Sequence, residues 1–131
     1  MAELCGKYKL VSSENFDEFM KAIGVNILMR KASAVSKPVV EIKQDEDNFI
    51  LKTTTTFKTC EIKFKIGEEF EETRMDGSTC KTTITLEDGK LVQKQSGDKE
   101  VTIIREVEGD QMKTICKVDD IESTRVYNRC E

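Results

Sequence analysis

The stretch Cys60-Glu61-Ile62-Lys63-Phe64-Lys65 decides how the rest of the chain is read. Apolar and charged residues change place at every step, the period of a strand with one buried and one wet face. Working outward, Phe49, Leu51, Thr53 and Thr55 share one parity, with Lys52 on the other. Cys80, Thr82, Ile84 and Leu86 alternate with Lys81, Thr83, Thr85 and Glu87. Turn signals separate such runs at short intervals: Gln44-Asp45-Glu46-Asp47, Asp76-Gly77, Glu87-Asp88-Gly89, Ser96-Gly97-Asp98, Glu108-Gly109-Asp110 and Val118-Asp119-Asp120. Regular strands with tight turns predict an antiparallel up-and-down meander. About nine strands follow residue 39 and one precedes the helices, ten in all. A sheet of that size closes or splits into two layers, and a barrel of about ten strands encloses more space than side chains fill. The expectation is an all-β, ten-stranded antiparallel barrel of two near-orthogonal sheets.

The first forty residues read differently. Tyr8-Lys9-Leu10-Val11 reads as a strand that Ser12-Ser13-Glu14-Asn15 interrupts. Asn15 with Glu18 resembles a capping box, and Phe16, Phe19, Met20 and Ile23 form one apolar stripe on a short helix. Gly24 supplies a stop, and Asn26 can cap a second helix from Ile27 to about Ser36. There Leu28, Ala32 and Val35 repeat the spacing, and Pro38 prevents continuation. The expected lid spans about residues 15–36, inserted after the first strand of a single domain covering 1–131. A helix-turn-helix of this kind does not read DNA, because its second helix is largely apolar and the chain is acidic.

Composition narrows the function. The 131 residues carry 21 Lys+Arg against 25 Asp+Glu, a net charge of −4, which argues against general nucleic-acid binding. With no histidine, Ser-His-Asp and Cys-His catalysis are excluded, as is the commonest zinc ligand. Cysteines at 5, 60, 80, 116 and 130 lack metal-knuckle or redox-pair spacing. They read as reduced thiols of a cytoplasmic protein, since Met1-Ala2-Glu3-Leu4 opens no signal peptide and no apolar run is long enough to span a bilayer. The acidic runs Glu68-Glu69, Glu71-Glu72 and Asp45-Glu46-Asp47 follow no calcium-loop spacing. No metal, cofactor or enzymatic activity is expected.

Two strands break the alternation rule. Arg105 shares parity with Val101, Ile103 and Val107, and Arg125 and Tyr127 share parity with Ile121 and Ser123. Two arginines therefore point into the barrel, and a buried guanidinium must be compensated because it cannot lose its proton. A structural ion pair with an inward Glu72, or a one-residue bulge turning an arginine outward, would satisfy that requirement. A ligand carboxylate would satisfy it equally, since two guanidiniums and a tyrosine hydroxyl match its acceptors. Inward Thr53 and Thr82 suit a cavity holding water beside an apolar tail.

Several segments, in this order and spacing, resemble the intracellular lipid-binding protein family over essentially the whole chain. They are Gly6-Lys7-Tyr8-Lys9-Leu10-Val11-Ser12-Ser13-Glu14-Asn15-Phe16, Gly24-Val25, Lys37-Pro38, Thr56-Phe57-Lys58-Thr59, Phe64-Lys65-Ile66-Gly67-Glu68-Glu69-Phe70 and Thr124-Arg125-Val126-Tyr127. The likeness is to fatty-acid-binding proteins of the heart, adipocyte and myelin branch. The resemblance implies a monomeric ten-stranded barrel carrying one long-chain fatty acid. Its carboxylate would lie at Arg105, Arg125 and Tyr127, with Arg105 able to act through water. Phe16, Met20, Thr53, Phe57, Cys60, Ile62 and Cys116 would line the tail, with Phe57 at the portal. Departures include Tyr8 for a usual tryptophan, Cys60 for a frequent threonine, Ser78 for a portal arginine, and a shortened turn at Ser96-Gly97-Asp98.

Retinol carriers of this family have glutamine in place of the two arginines, so an alcohol cargo is disfavoured, whereas a retinoic acid or another hydrophobic carboxylate is an alternative cargo. Residues 19–40 contain Lys21, Arg30, Lys31 and Lys37 and no acidic residue. That basic lid would contact anionic membranes, each cation near the surface contributing about 1 kcal/mol. A protein acting mainly at membrane surfaces is the reading from another class.

Overall fold

The computed structural model describes residues 4–55, 58–73, 77–97 and 99–130. Phe57, Asp76 and Asp98, singled out in the sequence, lie outside the described residues. The strands are β1 (Gly6–Glu14), β2 (Val39–Asp45), β3 (Asn48–Thr54), β4 (Thr59–Lys65), β5 (Glu69–Thr73), β6 (Thr79–Glu87), β7 (Lys90–Ser96), β8 (Val101–Glu108), β9 (Gln111–Val118) and β10 (Ile121–Arg129). Two helices, α1 (Phe16–Ala22) and α2 (Ile27–Val35), follow β1. The nine strands after the helices and one before them match the count that the turn signals predict.

Hydrogen bonding runs through all ten strands as one sheet in the order β4-β3-β2-β1-β10-β9-β8-β7-β6-β5. Every ladder is antiparallel, and the pairing of β1 with β10 nearly closes the barrel. The seam lies between β4 and β5. Phe64 of β4 and Phe70 of β5 stack across it with ring centroids 6.0 Å apart, and Gly67 N–H donates to the Ile84 carbonyl at 2.8 Å. Asp88 and Gly89, both at positive φ, form the two-residue turn joining β6 and β7 that their sequence signals.

Local chemistry departs from expectation in three places. β1 does not stop at Val11: a bulge between Leu10 and Ser12 absorbs one residue and the ladder resumes as Ser13 with Arg125 and Glu14 with Thr124. The second half of the strand is polar because it is held by β10, including a 2.8 Å bond from Ser123 Oγ to the Glu14 carbonyl. Asn15 does not cap α1 through its side chain. It adopts a left-handed conformation at φ 62°, which asparagine tolerates, and its Nδ2 donates to the Glu122 carbonyl at 3.1 Å. Asn26 does cap α2, its Oδ1 accepting from Met29 N–H at 3.0 Å.

The third departure concerns α2. The stripe on α1 packs as expected, with Phe19 and Met20 buried, but α2 buries no residue. Leu28 and Val35 are 77% and 78% exposed. The helical spacing is present, yet α2 buries none of it; the element it packs against most is α1.

The interior divides into two apolar clusters. One, around Tyr8, Ile42, Phe49, Ile84, Leu91 and Met112, fills the end away from the helices. The other joins Phe19, Met20 and Val25 of the lid region to Val101, Cys116 and Val118. Tyr8 is fully buried and its hydroxyl donates to the Leu4 carbonyl at 2.8 Å, while the Arg129 guanidinium lies 4.8 Å over its ring. Gly6 sits at φ +143°, where any Cβ would run into Arg129 Nη1.

Candidate ligand-binding site

Arg105, Thr114 and Arg125 occupy one row across three neighbouring strands: Thr114 of β9 pairs with Arg105 of β8 on one side and with Arg125 of β10 on the other. Neither ladder contains a register shift, so both arginines keep the inward parity of their strands and the bulge alternative does not hold. One row further, Met112 pairs with Tyr127, which is 5% exposed.

The two arginines are held differently. Arg105 Nη1 donates to Gln93 Oε1 at 2.6 Å. The Gln93 amide reaches the other way, donating to both Glu72 oxygens at 2.8 and 3.1 Å. Glu72 Oε1 also accepts from Thr82 Oγ1 at 2.8 Å and Gln95 Nε2 at 3.0 Å. Because a carboxylate only accepts, Glu72 fixes which end of the Gln93 amide faces Arg105. The inward Glu72 is therefore present as expected, but its link to Arg105 runs through a neutral amide. Among the described residues no ion pair joins the two directly.

Arg105 is part-buried. Loss of water lowers its pKa, while the neighbouring Cys116, Tyr127 and Glu72 act the other way. Arg125 is 8% exposed. Its guanidinium lies 3.8 Å from the centre of the Phe16 ring, so α1 covers one face of the cation. Its Nε and the Thr114 hydroxyl are buried without a hydrogen-bond partner among the described residues. Burial raises the Tyr127 pKa against the opposing pull of Arg125 and Arg105. The Cys116 thiol is pushed up to about 11, again by burial, with the same two arginines opposing. The site is thus a cluster of two cations with a neutral phenol and thiol beside it, chemistry suited to an anion with an apolar body.

Other residues singled out in the sequence divide into four groups. Met20 of α1 and Cys116 of β9 belong to one buried cluster, and Phe16 is half-buried over Arg125. Thr53 and Ile62 are half-buried on the β3–β4 wall, where Thr53 pairs with Cys60. Cys60 is exposed, because it lies near the beginning of β4 where the wall ends. Of the lid cations, Lys21, Lys31 and Lys37 are exposed. Arg30 is only 17% exposed, and its Nε lies 3.1 Å from Asp17 Oδ1.

Sequence reading did not single out Gln93, Gln95 or Thr114. Their signal was parity: Gln93 and Gln95 alternate in step with Leu91, and Thr114 with Met112 and Cys116. A separate cleft of about 250 Å³ at the β4–β5 seam, lined by Asn48, Lys63, Phe64 and Phe70 among others, contains none of these groups.

Residues 5–129 match the lipocalin / cytosolic fatty-acid binding protein family. The chain belongs to that family. A fatty acid-binding protein of Lepidoglyphus destructor is 48% identical over 130 residues, covering 98% of this chain and 99% of its own. A second member, cellular retinoic acid-binding protein 2 of Mus musculus, is 47% identical over 138 residues with the same coverage. The solved Schistosoma mansoni fatty acid binding protein in complex with arachidonic acid superposes with a TM-score of 0.96 at 37% identity, over 100% of this chain and 98% of that one. Within this lipid-binding family, the described residues contain no helix long and apolar enough to cross a membrane.

Proposed function

We propose that the protein is a monomeric cytoplasmic carrier that holds one long-chain fatty acid non-covalently inside its barrel. The carboxylate lies between Arg105 and Arg125, with the Tyr127 hydroxyl donating beside them. The acyl chain runs along Phe16, Met20 and Cys116 on one wall and toward Thr53 and Ile62 on the other. The single observation that carries this reading is the inward row of two arginines, one of them with a buried N–H that has no partner among the described residues. Family membership supports it, as does the arachidonic acid held by the Schistosoma mansoni relative. Delivery occurs through contact of the lid with anionic membranes, for which the exposed Lys21, Lys31 and Lys37 are the candidates.

Retinoic acid is the second reading, favoured by the Mus musculus relative that its name says binds it. Both cargoes present a carboxylate, and the arginines do not discriminate between their tails. The deciding measurement is a binding comparison between oleic acid, its methyl ester and retinoic acid. Charge-assisted hydrogen bonds contribute roughly 1.5–3 kcal/mol each, so the acid should bind at least about tenfold more tightly than the ester. Equal affinity for acid and ester would remove the carboxylate site. Displacement of bound oleate by equimolar retinoic acid would instead assign the retinoid as cargo.

A further inference from the structure

Among the described residues, two of the few buried side-chain polar atoms without a hydrogen-bond partner belong to residues that face each other directly. Arg125 Nε and Thr114 Oγ1 both lack one, and Arg125 and Thr114 are paired in the β9–β10 ladder. Both groups can donate, and buried donors without acceptors are rare in folded proteins. No hydrogen bond joins the two, and even if Thr114 Oγ1 accepted from Arg125 Nε, the hydroxyl proton would still need an acceptor, which a guanidinium cannot supply. Phe16 lies against one face of the Arg125 guanidinium, so an incoming acceptor must approach in its plane. On the far side of Thr114, Arg105 is already engaged by Gln93.

We propose that Thr114 is a third ligand of the cargo carboxylate, its hydroxyl and Arg125 Nε donating to one oxygen. This rests on the reading of the arginine row as the headgroup site. Thr114 then makes the site selective for an acid over a neutral head group: the hydroxyl lies between two cations and its proton faces whatever anion they attract. In the empty protein its burial is a cost, which the ligand removes.

The test compares Thr114→Val, Thr114→Ser and Arg125→Gln with the parent, using oleic acid and methyl oleate as probes and the melting temperature of the empty protein as the stability readout. Valine keeps the shape and removes the hydroxyl, so oleate affinity should fall about tenfold, the loss of one hydrogen bond to a charged group. Methyl oleate affinity should stay within about twofold of the parent, and the empty protein should melt no lower. Serine should restore the acid preference. An unchanged acid-to-ester ratio in Thr114→Val would overturn the proposal and leave a trapped water as the only partner of that hydroxyl. A melting temperature that drops in both Thr114 variants with the ratio unaltered would assign Thr114 to packing alone. If the parent itself fails to distinguish acid from ester, or Arg125→Gln keeps the parent's full acid preference, the headgroup site itself is wrong; if the parent distinguishes them and Arg125→Gln loses that preference while Thr114→Val keeps it, only the role of Thr114 falls.

Discussion

Cys116 lies in the ladder between Ile103 and Ser123, next to the arginine row. Two guanidiniums beside a thiol would ordinarily promote the thiolate, but burial outweighs them and raises the pKa from 9.0 to about 11. The thiol is therefore a neutral part of the wall, and exposed Cys60 and Cys130 should react with an alkylating reagent well before it. The same shift has a stability consequence whose sign is definite. Above pH 9 the unfolded chain loses the Cys116 proton while the folded one keeps it, so stability is intact below that pH and declines as pH rises toward 11. Two units correspond to roughly 2–3 kcal/mol. Tyr127, raised in the same direction, adds a decline at higher pH. Denaturant melts of the empty protein between pH 8 and 11 should show a shallower decline in Cys116→Ala than in the parent. Parallel pH curves would place the alkaline loss elsewhere.

Among the elements, α2 depends on surface contacts. It buries no side chain, so its position rests on the Asn26 cap, the Arg30–Asp17 pair and a 3.5 Å approach of Arg30 Nη1 to the Val25 carbonyl. Asp17 belongs to α1, whose neighbouring Phe16 lies over Arg125, so one ion pair connects the outer helix to the helix that covers Arg125. Arg30→Gln should accelerate fatty-acid exchange in stopped-flow displacement while changing equilibrium affinity by no more than about twofold. Its cost in stability should stay under about 1 kcal/mol, since the Asp17 side chain is 61% exposed and solvent screens the pair. An Asp17→Asn background should abolish the effect on exchange; an undiminished effect there would dissociate it from the ion pair. Asn26 was legible as a cap because its geometry is local, whereas Asn15 was not, because its amide is claimed by Glu122, 107 positions away.

At the scale of the molecule, the charge is unevenly placed. The chain is net −4, yet residues 19–40 hold four cations and no acid. One of these, Arg30, is engaged within the lid, which leaves Lys21, Lys31 and Lys37 for an external surface. Reversing those three to glutamate should slow transfer of fatty acid to anionic vesicles and leave cargo affinity nearly unchanged, because they lie on the lid side away from the arginine row. The attraction decays over a Debye length of about 8 Å at physiological salt, so added salt should slow the parent and spare the variant. Transfer that ignores vesicle charge and salt in the parent would mean that cargo leaves through water.

The amino-acid sequence by itself determined the ten strands, their inward and outward faces, the two helices and the presence of two inward arginines. Each of these follows from a period of two, a period of 3.6 or a turn dipeptide, all set by neighbours along the chain. What only the tertiary structure decided is which interior groups meet. Glu72 and Gln93 lie 21 positions apart, and Glu72 reaches Arg105 through a neutral amide that carries no charge signal in the sequence. Phe16 reads as one more residue of an apolar stripe until α1 is laid over Arg125. Thr114 gains its meaning from the register that pairs it with an arginine on either side. Those meetings depend on strand register and on side-chain direction across a nearly closed barrel, and a sequence pattern specifies a face without specifying what another strand brings to it.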